Sequence, residues 1–308
     1  FGRYYRDFST YLNNELSSGS MLIGVNALPT PKIGLLGKNQ IKKKSKFKFT
    51  YGISHSILDK NDVYNKSPYI HEKFLYLIKN DNNYEYGFGF VHEAMWAGST
   101  YLNGKFPSSF NDFLKVIISA DGEKVDGQPH ANALGNHLGI WDFYYTKKNK
   151  SNVLKFYYQH FFEDTSGLRF ANRLDGLWGF EYRNLSTGFN FLVEYLNTIN
   201  QDRDPPYVNE NYYNHGEYTL GWSYKGYVIG NPFINNINNN PSKVIHAGIS
   251  NNDINNYKFK VLLSKRIDTS KTLMYSLSIG KVFENYSTSL FINGMKSENI
   301  GLRILYDI

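Results

Sequence analysis

Bulky apolar side chains alternate with small or polar ones along much of the chain, and the pattern is clearest near its end. In residues 298–308 one face carries five apolar side chains, namely Ile300, Leu302, Ile304, Tyr306 and Ile308. Residues 273–283 repeat the alternation, and a period of two is the period of a β-strand. In a soluble sandwich the apolar face would pack on a core, whereas in a membrane barrel it would face lipid and the small polar face would line a wet lumen. Both alternatives stay open on this pattern alone.

The same alternation predicts about 14 strands along the chain. They cover residues 1–9, 46–58, 73–79, 84–96, 138–146, 153–163, 177–183, 189–197, 217–227, 243–250, 257–267, 272–283, 288–295 and 299–308. Most are about 8 to 12 residues long, whereas globular strands average about five or six and barrel-spanning strands need about 9 to 11. Tight turns alternate with long loops, which is also typical of outer-membrane barrels. Length and turn pattern therefore favour an antiparallel transmembrane β-barrel over a soluble sandwich or lectin-like domain.

One count does not agree with this topology. Suppose that the turn at residues 184–188 and the end of the last strand lie on the same side of the membrane. An even number of strands must then lie between them, but the prediction gives an odd number. We therefore expect one missed or spurious crossing between residues 198 and 243.

Residues 15–37 interrupt the alternation with an apolar but irregular stretch. Two prolines two positions apart exclude a central strand there. A long loop with this apolar content is expected to be buried, and inside a barrel it would form a plug or constriction. The predicted lumen plug includes Ser18, Gly19, Asn26, Pro29 and Pro31.

A second interruption spans residues 98–136 and contains one predicted helix. Residues 109–119 have helical spacing of their apolar side chains, and Ser109 suits the N-cap position. We predict one short helix within an outer loop of the barrel.

Composition excludes several classes of protein. The chain has no cysteine, so neither a disulfide scaffold nor a cysteine metal site is expected. The mean hydropathy is -0.47, and no run approaches the roughly 18 apolar residues of a spanning helix, which excludes helical membrane proteins. The sequence begins at Phe1 within a strand pattern. We therefore expect a processed or cut N-terminus, with sequence missing upstream of a single barrel domain over residues 1–308.

The net charge of +7 favours anionic partners, such as acidic polysaccharide or lipopolysaccharide phosphate. Nucleic acid is not an expected partner, because the lysines are scattered over strands and turns. Residues 42–44 form the one lysine cluster, and such a cluster is usually a solvated turn.

Sugar binding needs aromatic faces together with amides, carboxylates or hydroxyls. The predicted polysaccharide-binding residues near long loops are Trp96, His130, Asn132, Asn136, His137, Trp141, His160, Glu163, Asp164 and Asn197, with Asp142 and Glu194 as further candidates.

Each candidate also has a plain structural explanation. Tryptophans near strand ends serve as membrane-interface aromatics, and histidines such as His137 and His160 are often hydrogen-bonded within a fold. The acidic candidates would also fit a lumenal ion-pair network with Arg169, Arg173 and Arg183.

Catalysis is the competing class of function, and the sequence disfavours it. Glu163 and Asp164 are adjacent, so in a strand they point to opposite faces and cannot flank one glycosidic bond. The chain has no Gly-x-Ser-x-Gly, no His-Glu-x-x-His and no phosphate loop. We expect no enzyme activity, no cofactor and no metal. The alternative to polysaccharide binding is a structural subunit of a larger outer-membrane complex.

Several stretches together resemble the capsule-assembly Wzi family of outer-membrane proteins. They are Glu15-Leu-Ser-Ser-Gly-Ser20 with Asn26-Ala27 and Pro29-Thr-Pro31, His71-Glu-Lys-Phe-Leu-Tyr76, His92-Glu-Ala-Met-Trp96, Phe106-Pro-Ser-Ser-Phe-Asn-Asp-Phe113, Asn132-Ala-Leu-Gly-Asn-His137, Tyr158-Gln-His-Phe-Phe-Glu-Asp164, Asp175-Gly-Leu-Trp178 and Glu194-Tyr-Leu-Asn197.

The resemblance covers most of residues 1–240. It implies a single large outer-membrane barrel of about 18 strands, with its lumen and outer loops filled by helices and aromatic side chains. It also implies attachment of capsular or exported polysaccharide at the surface of a Gram-negative cell by a lectin-like, non-catalytic protein. Compared with about 18 strands, the roughly 14 predicted in residues 1–308 would fit a chain that lacks its N-terminal strands. The expected partners are outer-membrane lipid, lipopolysaccharide, anionic polysaccharide and other outer-membrane proteins.

Overall fold

The computed structural model describes residues 1–5, 15–41, 45–123, 133–163, 165–201, 212–238, 240–254, 256–268, 273–294 and 299–306. In chain order the strands are β1 (Gly2–Arg3), β2 (Pro31–Gln40), β3 (Phe47–Ile57), β4 (Tyr64–Lys66), β5 (Tyr69–Asp81), β6 (Tyr84–Trp96), β7 (Ser99–Thr100), β8 (Gly104–Lys105), β9 (Asn136–Lys148), β10 (Asn152–Phe162), β11 (Gly176–Asn184), β12 (Phe189–Asn197), β13 (Ser223–Tyr224), β14 (Tyr227–Val228), β15 (Lys243–Ile254), β16 (Tyr257–Arg266), β17 (Met274–Val282), β18 (Tyr286–Asn293) and β19 (Asn299–Tyr306). The helices are α1 (Phe110–Ile118) and α2 (Thr165–Leu168).

Within these residues, 14 strands form one antiparallel sheet in the order β1-β2-β3-β5-β6-β9-β10-β11-β12-β15-β16-β17-β18-β19. Strands β4, β7 and β8 form a small separate sheet, and β13 pairs with β14. The prediction of an all-β, antiparallel architecture is confirmed. Strands β1 and β19 are the two edges of the large sheet among the described residues. No described helix is long and apolar enough to cross a bilayer.

The connections divide the sheet into two different ends. The long connections leave one end, called here the loop end, at residues 58–68, 97–135, 163–175 and 198–242. Short turns leave the opposite end, called here the turn end, at residues 82–83, 149–151, 185–188 and 283–285. Among the described residues, the long connections therefore all leave one end of the sheet.

Residues 217–227 are not a strand of the large sheet, and that prediction is wrong. Within them Ser223–Tyr224 forms β13, which pairs with β14 alone. Tyr218 and Trp222 are buried in the core cluster, so their alternation reflects packing of an inserted loop. Without this crossing, the strands from the turn at residues 185–188 return to the turn end at β19, which resolves the mismatch in the predicted topology.

Strand β2 was not predicted, whereas the predicted strand at residues 217–227 is absent from the large sheet. The described part of the sheet therefore still has 14 strands, as predicted. Residues 31–37, predicted to be irregular, instead open β2, which pairs with β3 from Lys32 to Gln40. Pro31 belongs to the sheet because a proline is tolerated as the first residue of a strand. The irregular segment predicted as the plug therefore ends at Thr30.

Two further boundaries differ from the prediction. Strand β5 begins at Tyr69 rather than at residue 73, because His71 and Glu72 break the apolar alternation without ending the ladder. The first predicted strand, residues 1–9, is represented by β1, and its second half lies outside the described residues.

The sheet has two faces of different character. Its inner face packs against the loops in one core cluster, to which β6 contributes Val91 and Met95. Its outer face carries exposed aromatic side chains such as Tyr86 and Phe88 on the same strand. The apolar outer face is what the sequence alternation predicts for a membrane barrel. The inner face differs from the predicted wet lumen, because the loops pack on it.

Candidate functional site at the loop end

Residues 15–30, called here the plug, lie against the inner face and are held there by Glu194 on β12. Ser17 Oγ donates a hydrogen bond of 2.6 Å to Glu194 Oε1, and the Ser18 amide donates one of 2.7 Å to Oε2. The Tyr157 hydroxyl also donates to Oε1. Strand alternation places Glu194 on the inner face, where hydrogen bonds to a charged acceptor are strong. Glu194 is therefore an anchor of the plug.

Two more inner-face side chains hold the plug at its start and middle. Gln159 Oε1 accepts from the Met21 amide at 3.0 Å and from Ser20 Oγ at 3.1 Å. His246 Nε2 lies 2.6 Å from the carbonyl oxygen of Leu16. The plug is thus tied to three separate strands, β10, β12 and β15.

Residues 212–238, called here the insert, pack over the plug from the loop end. The Trp222 indole N–H donates to the Leu22 carbonyl at 2.9 Å. Asn231 Nδ2 donates to Ser18 Oγ at 3.1 Å and to the Gly19 carbonyl at 2.9 Å. These contacts place the predicted plug residues Ser18 and Gly19 beneath the insert.

The remaining predicted plug residues lie toward β2. Asn26 Nδ2 donates to the Val228 carbonyl at 2.9 Å. The Pro29 carbonyl accepts from the Arg3 guanidinium at 3.1 Å. The structure therefore brings Asn26 and Pro29 against the insert and β1.

Two small cavities lie among the described residues near the loop end. One cavity of about 20 Å³ lies beside Lys32, Glu72 and Glu93. Another of about 10 Å³ lies beside Gln201 and Asn214. A single water needs about 10 to 15 Å³, so these cavities admit water and exclude a sugar ring. A saccharide contacting the described part of the loop end would meet its outer surface.

A larger groove of about 430 Å³ opens on that surface at the start of α1. Its lining residues are Lys105, Phe106, Pro107, Ser108, Ser109 and Asp112. This volume falls within the range of about 300 to 1,000 Å³ typical of small-ligand sites. The groove offers a cation and hydroxyls, which can bind an acidic saccharide, beside the carboxylate of Asp112.

A capping box fixes the geometry of this groove. Ser109 Oγ accepts from the Asp112 amide at 3.2 Å, and Asp112 Oδ2 accepts from the Ser109 amide at 2.8 Å. The Ser109 side chain and backbone hydrogen bonds lower the pKa of Asp112, so the carboxylate is charged at neutral pH. The predicted helix and its N-cap at Ser109 are confirmed.

Lysines and aromatic rings form a belt around the turn end of the outer face. Lys79 lies 6.0 Å from the Tyr86 ring, and Lys281 lies 5.3 Å from the Tyr257 ring. Aromatic rings with lysines that reach toward water are typical of a membrane–water interface. The belt separates the apolar outer face from the short turns.

The family of the chain follows from its sequence as a whole. The sequence model of the family described as "Capsule assembly protein Wzi" matches residues 17–251. The chain belongs to the Wzi capsule-assembly family. The resemblance seen in the sequence is therefore confirmed.

A solved structure shares the fold of this Wzi-family chain. It is Wzi of Escherichia coli, described as an outer-membrane protein involved in group 1 capsule assembly and as a carbohydrate-binding β-barrel. The TM-score is 0.57 at 15% identity, over 92% of this chain and 62% of that one. The chain thus spans 62% of the length of the barrel that it matches. At this identity the likeness establishes the fold alone. No curated protein matches the chain.

Two of the predicted sugar-binding residues of the Wzi-family chain lie beneath α1 on the outer face. The Trp96 ring stacks on Phe113, with 5.3 Å between ring centroids. His137 Nδ1 lies 2.9 Å from His92 Nε2. Both predicted side chains are buried and do not form an open sugar platform.

Three more predicted residues are covered by the connection at residues 163–175. The Phe170 ring stacks on His160 at 4.3 Å and on Trp141 at 6.2 Å. Asn197 Nδ2 donates to the carbonyl of Leu174 at 2.8 Å. These contacts give the three side chains structural partners.

The other predicted residues are dispersed. Asn136 and Asp142 are buried on the inner face, where the Tyr76 hydroxyl donates to Asp142 Oδ2 at 2.9 Å. Glu163 is half-buried just after β10. His130, Asn132 and Asp164 lie outside the described residues. The described members of the predicted set therefore do not converge on one site.

The surface groove was not among the predicted sites, although part of its lining carries a recognisable sequence pattern. The stretch Phe106-Pro107-Ser108-Ser109 suggested a helix start and a family resemblance. Lys105 carried no separate signal, because a lone lysine before a proline-containing turn is common on surfaces. Its position beside the helix N-cap emerges from the hairpin of β7 and β8.

Proposed function

We propose that this Wzi-family chain forms the body of an outer-membrane β-barrel that binds capsular or exported polysaccharide at its loop end. Its work is to hold the polymer at the cell surface as a lectin-like protein without catalysis. The relative from Escherichia coli is described as a carbohydrate-binding barrel of the outer membrane, which supports the proposal.

The observation that carries this proposal is the filled interior. The plug is tied to β10, β12 and β15, and a cavity of about 20 Å³ lies beside it. A polymer chain does not fit spaces of this size. Binding at an outer surface therefore accords with the geometry better than passage through the described part of the sheet.

The outer face supports the membrane setting. Strands β5, β6 and β9 are each 13 residues long, which exceeds the roughly 9 to 11 residues needed to cross a bilayer at a tilt. Their outward aromatic side chains and the lysine belt at the turn end match a lipid-facing surface. The loop end then faces outside, because long loops of such barrels are extracellular.

The groove at the start of α1 is the proposed polymer contact. Lys105 would pair with carboxylates or phosphates of an acidic polysaccharide, while Ser108 would hydrogen-bond sugar hydroxyls. The charged carboxylate of Asp112 accepts hydrogen bonds from the Ser109 amide and hydroxyl, which hold it in the capping box. The site stays cationic at its rim through Lys105.

Replacing Lys105 tests this contact directly. Lys105→Ala is expected to weaken binding of an acidic polysaccharide to the purified protein about two- to fivefold, the range of an exposed ion pair. The matched control is Lys150→Ala, which removes an exposed lysine at the turn end. Affinity is measured with fluorescently labelled polymer in detergent. Equal affinities for both variants and the unmodified protein would exclude this groove as the contact.

A further inference from the structure

Helix α1 packs on the outer face of the sheet, not on the plugged interior. Its residues Phe113 and Val116 join Ala94, Trp96 and Ala97 in a second apolar cluster, separate from the main core. On β6 these outward positions alternate with the inner-face residues of the main cluster. The helix is therefore an external element fastened near the loop end.

Beneath α1 the outer face carries a row of polar side chains. His55 and His71 are opposite each other on β3 and β5, with 4.8 Å between their ring centroids. His137 lies in the same row on β9, opposite Ala94. Phe113 covers this row and lies 5.0 Å from the His55 ring.

The end of α1 closes over a second pair of polar side chains. Lys73 and His92 are opposite each other on β5 and β6. Lys73 Nζ donates to the carbonyl of Ile117, and Ser119 Oγ lies 3.1 Å from His92 Nε2. Hydrocarbon offers no hydrogen bonds, so polar groups at a lipid-facing position need such a cover.

The opposite side of α1 presents a continuous apolar stripe. Phe110, Leu114 and Ile118 are four positions apart, so they lie on one side of the helix. Their exposed fractions are 75%, 44% and 73%. Three large apolar side chains in a row on an exposed helix mark an interaction surface.

The stripe is continuous with the apolar outer face of the sheet. Directly below the Lys73–His92 pair on these strands is the outward pair Leu75–Phe90. The two pairs are two residues apart, which is about 7 Å along a strand. Leu75 is half exposed, so the apolar outer face reaches to the edge of the helix.

We infer that α1 is an interfacial helix whose stripe of Phe110, Leu114 and Ile118 contacts the acyl chains of the outer leaflet. Without the helix, the outer face would expose His55, His71 and His137 near the loop end. The helix covers these polar side chains and presents its own apolar stripe instead. A lipid-facing stripe on an amphipathic element is the arrangement of helices that lie in a membrane interface. The inference rests on the proposed membrane setting of the barrel.

The absence of cysteine from the sequence makes a direct test possible. The single variants Leu114→Cys, Ile118→Cys, Leu75→Cys and Leu102→Cys are labelled with an environment-sensitive fluorophore and reconstituted into bilayers. The bilayers carry nitroxide quenchers at a shallow or a deep acyl position, and iodide serves as the aqueous quencher. Leu102, which is 85% exposed in the loop between β7 and β8, is the aqueous reference.

At positions 114 and 118 the fluorescence is expected to be lost with the shallow nitroxide and retained with iodide. At position 75 the loss is expected with the acyl-chain nitroxides, and at position 102 with iodide. If position 75 responds to nitroxide while 114 and 118 respond to iodide or to neither quencher, the interfacial helix is wrong and the barrel proposal stands. If position 75 responds to iodide, the membrane proposal fails and the inference fails with it.

Discussion

At the scale of single residues, buried side chains that look suited to sugar binding instead hold the molecule together. Glu194 illustrates this, because both its oxygens accept hydrogen bonds from Ser17, Ser18 and Tyr157. A hydrogen bond to a charged group contributes about 1.5–3 kcal/mol, so loss of this carboxylate has a large effect. The plug is thus stabilised by a few buried polar contacts in addition to apolar packing.

Glu194→Gln is expected to lower the free energy of unfolding by about 2–4 kcal/mol, since an amide nitrogen replaces one of the two acceptors. Amide hydrogen exchange of residues 17–22 is expected to accelerate in the same variant. The matched control is Glu284→Gln, which changes an exposed residue at the turn end. Unchanged exchange in the plug with unchanged stability would show that Glu194 is not its anchor.

Glycines of the inner face leave room for tyrosine rings from neighbouring strands, which the sequence alternation alone did not predict. A side chain at Gly179 would meet the Tyr157 ring at 1.9 Å, and one at Gly87 would meet the Tyr144 ring at the same distance. The small residues predicted to line a wet lumen therefore receive tyrosine rings from neighbouring strands. The pattern identified which face is inner, but the ring placement depends on cross-strand register.

At the scale of elements, the insert depends on a neutral histidine. His215 Nδ1 accepts from the amides of Glu217 and Tyr218 at 3.2 and 3.3 Å. Burial lowers the pKa of His215 to about 4 from its ordinary value of 6.5. A protonated imidazole has no acceptor at this nitrogen, so charging it would break both contacts.

Stability of the insert is therefore expected to fall as the pH drops from 6.5 toward 4. In that window the unfolded histidine binds a proton and the folded one does not, which favours the unfolded form. His215→Asn supplies an acceptor that does not titrate and is expected to reduce this pH dependence. Limited proteolysis within residues 212–238 between pH 7 and pH 4 measures it. Identical pH profiles for the variant and the unmodified protein would contradict the role of His215.

The elements that were predicted correctly are those determined by local chemistry. Ser109 and the apolar spacing after it specified α1, and strands such as β6 and β9 showed long, clean alternation. The two errors, the false strand at residues 217–227 and the missed strand β2, have a different cause. Tyr218 and Trp222 are apolar because they pack against the plug, and Pro31, which disfavours a central strand, is tolerated as the first residue of β2. Both facts depend on contacts between segments distant in sequence.

The candidate site was less predictable for the same reason. Trp96 and His137 have the composition of a sugar site, but α1 folds over them. Lys105 has no distinctive sequence context, yet the β7–β8 hairpin places it at the groove. Residue type indicates what a side chain can bind, whereas loop packing determines whether it is accessible.

At the scale of the whole molecule, the sheet separates three environments. Its outer face suits lipid, the plug and the insert pack on its inner face along β5 to β15, and its loop end carries the open groove. The net charge of +7 favours acidic polymers and implies that their binding weakens as ionic strength rises. Together these features support the proposal that the protein holds a polymer on a membrane surface.

The most direct measurement is co-sedimentation of acidic capsular polysaccharides with proteoliposomes that contain the purified protein. The account predicts that these vesicles bring down more polymer than protein-free vesicles and that the excess decreases as salt increases. Neutral dextran is expected to stay in the supernatant, and the recovered acidic polymer is expected to keep its length. Equal amounts of polymer with and without protein, or shortened polymer after incubation, would contradict a non-catalytic surface holder.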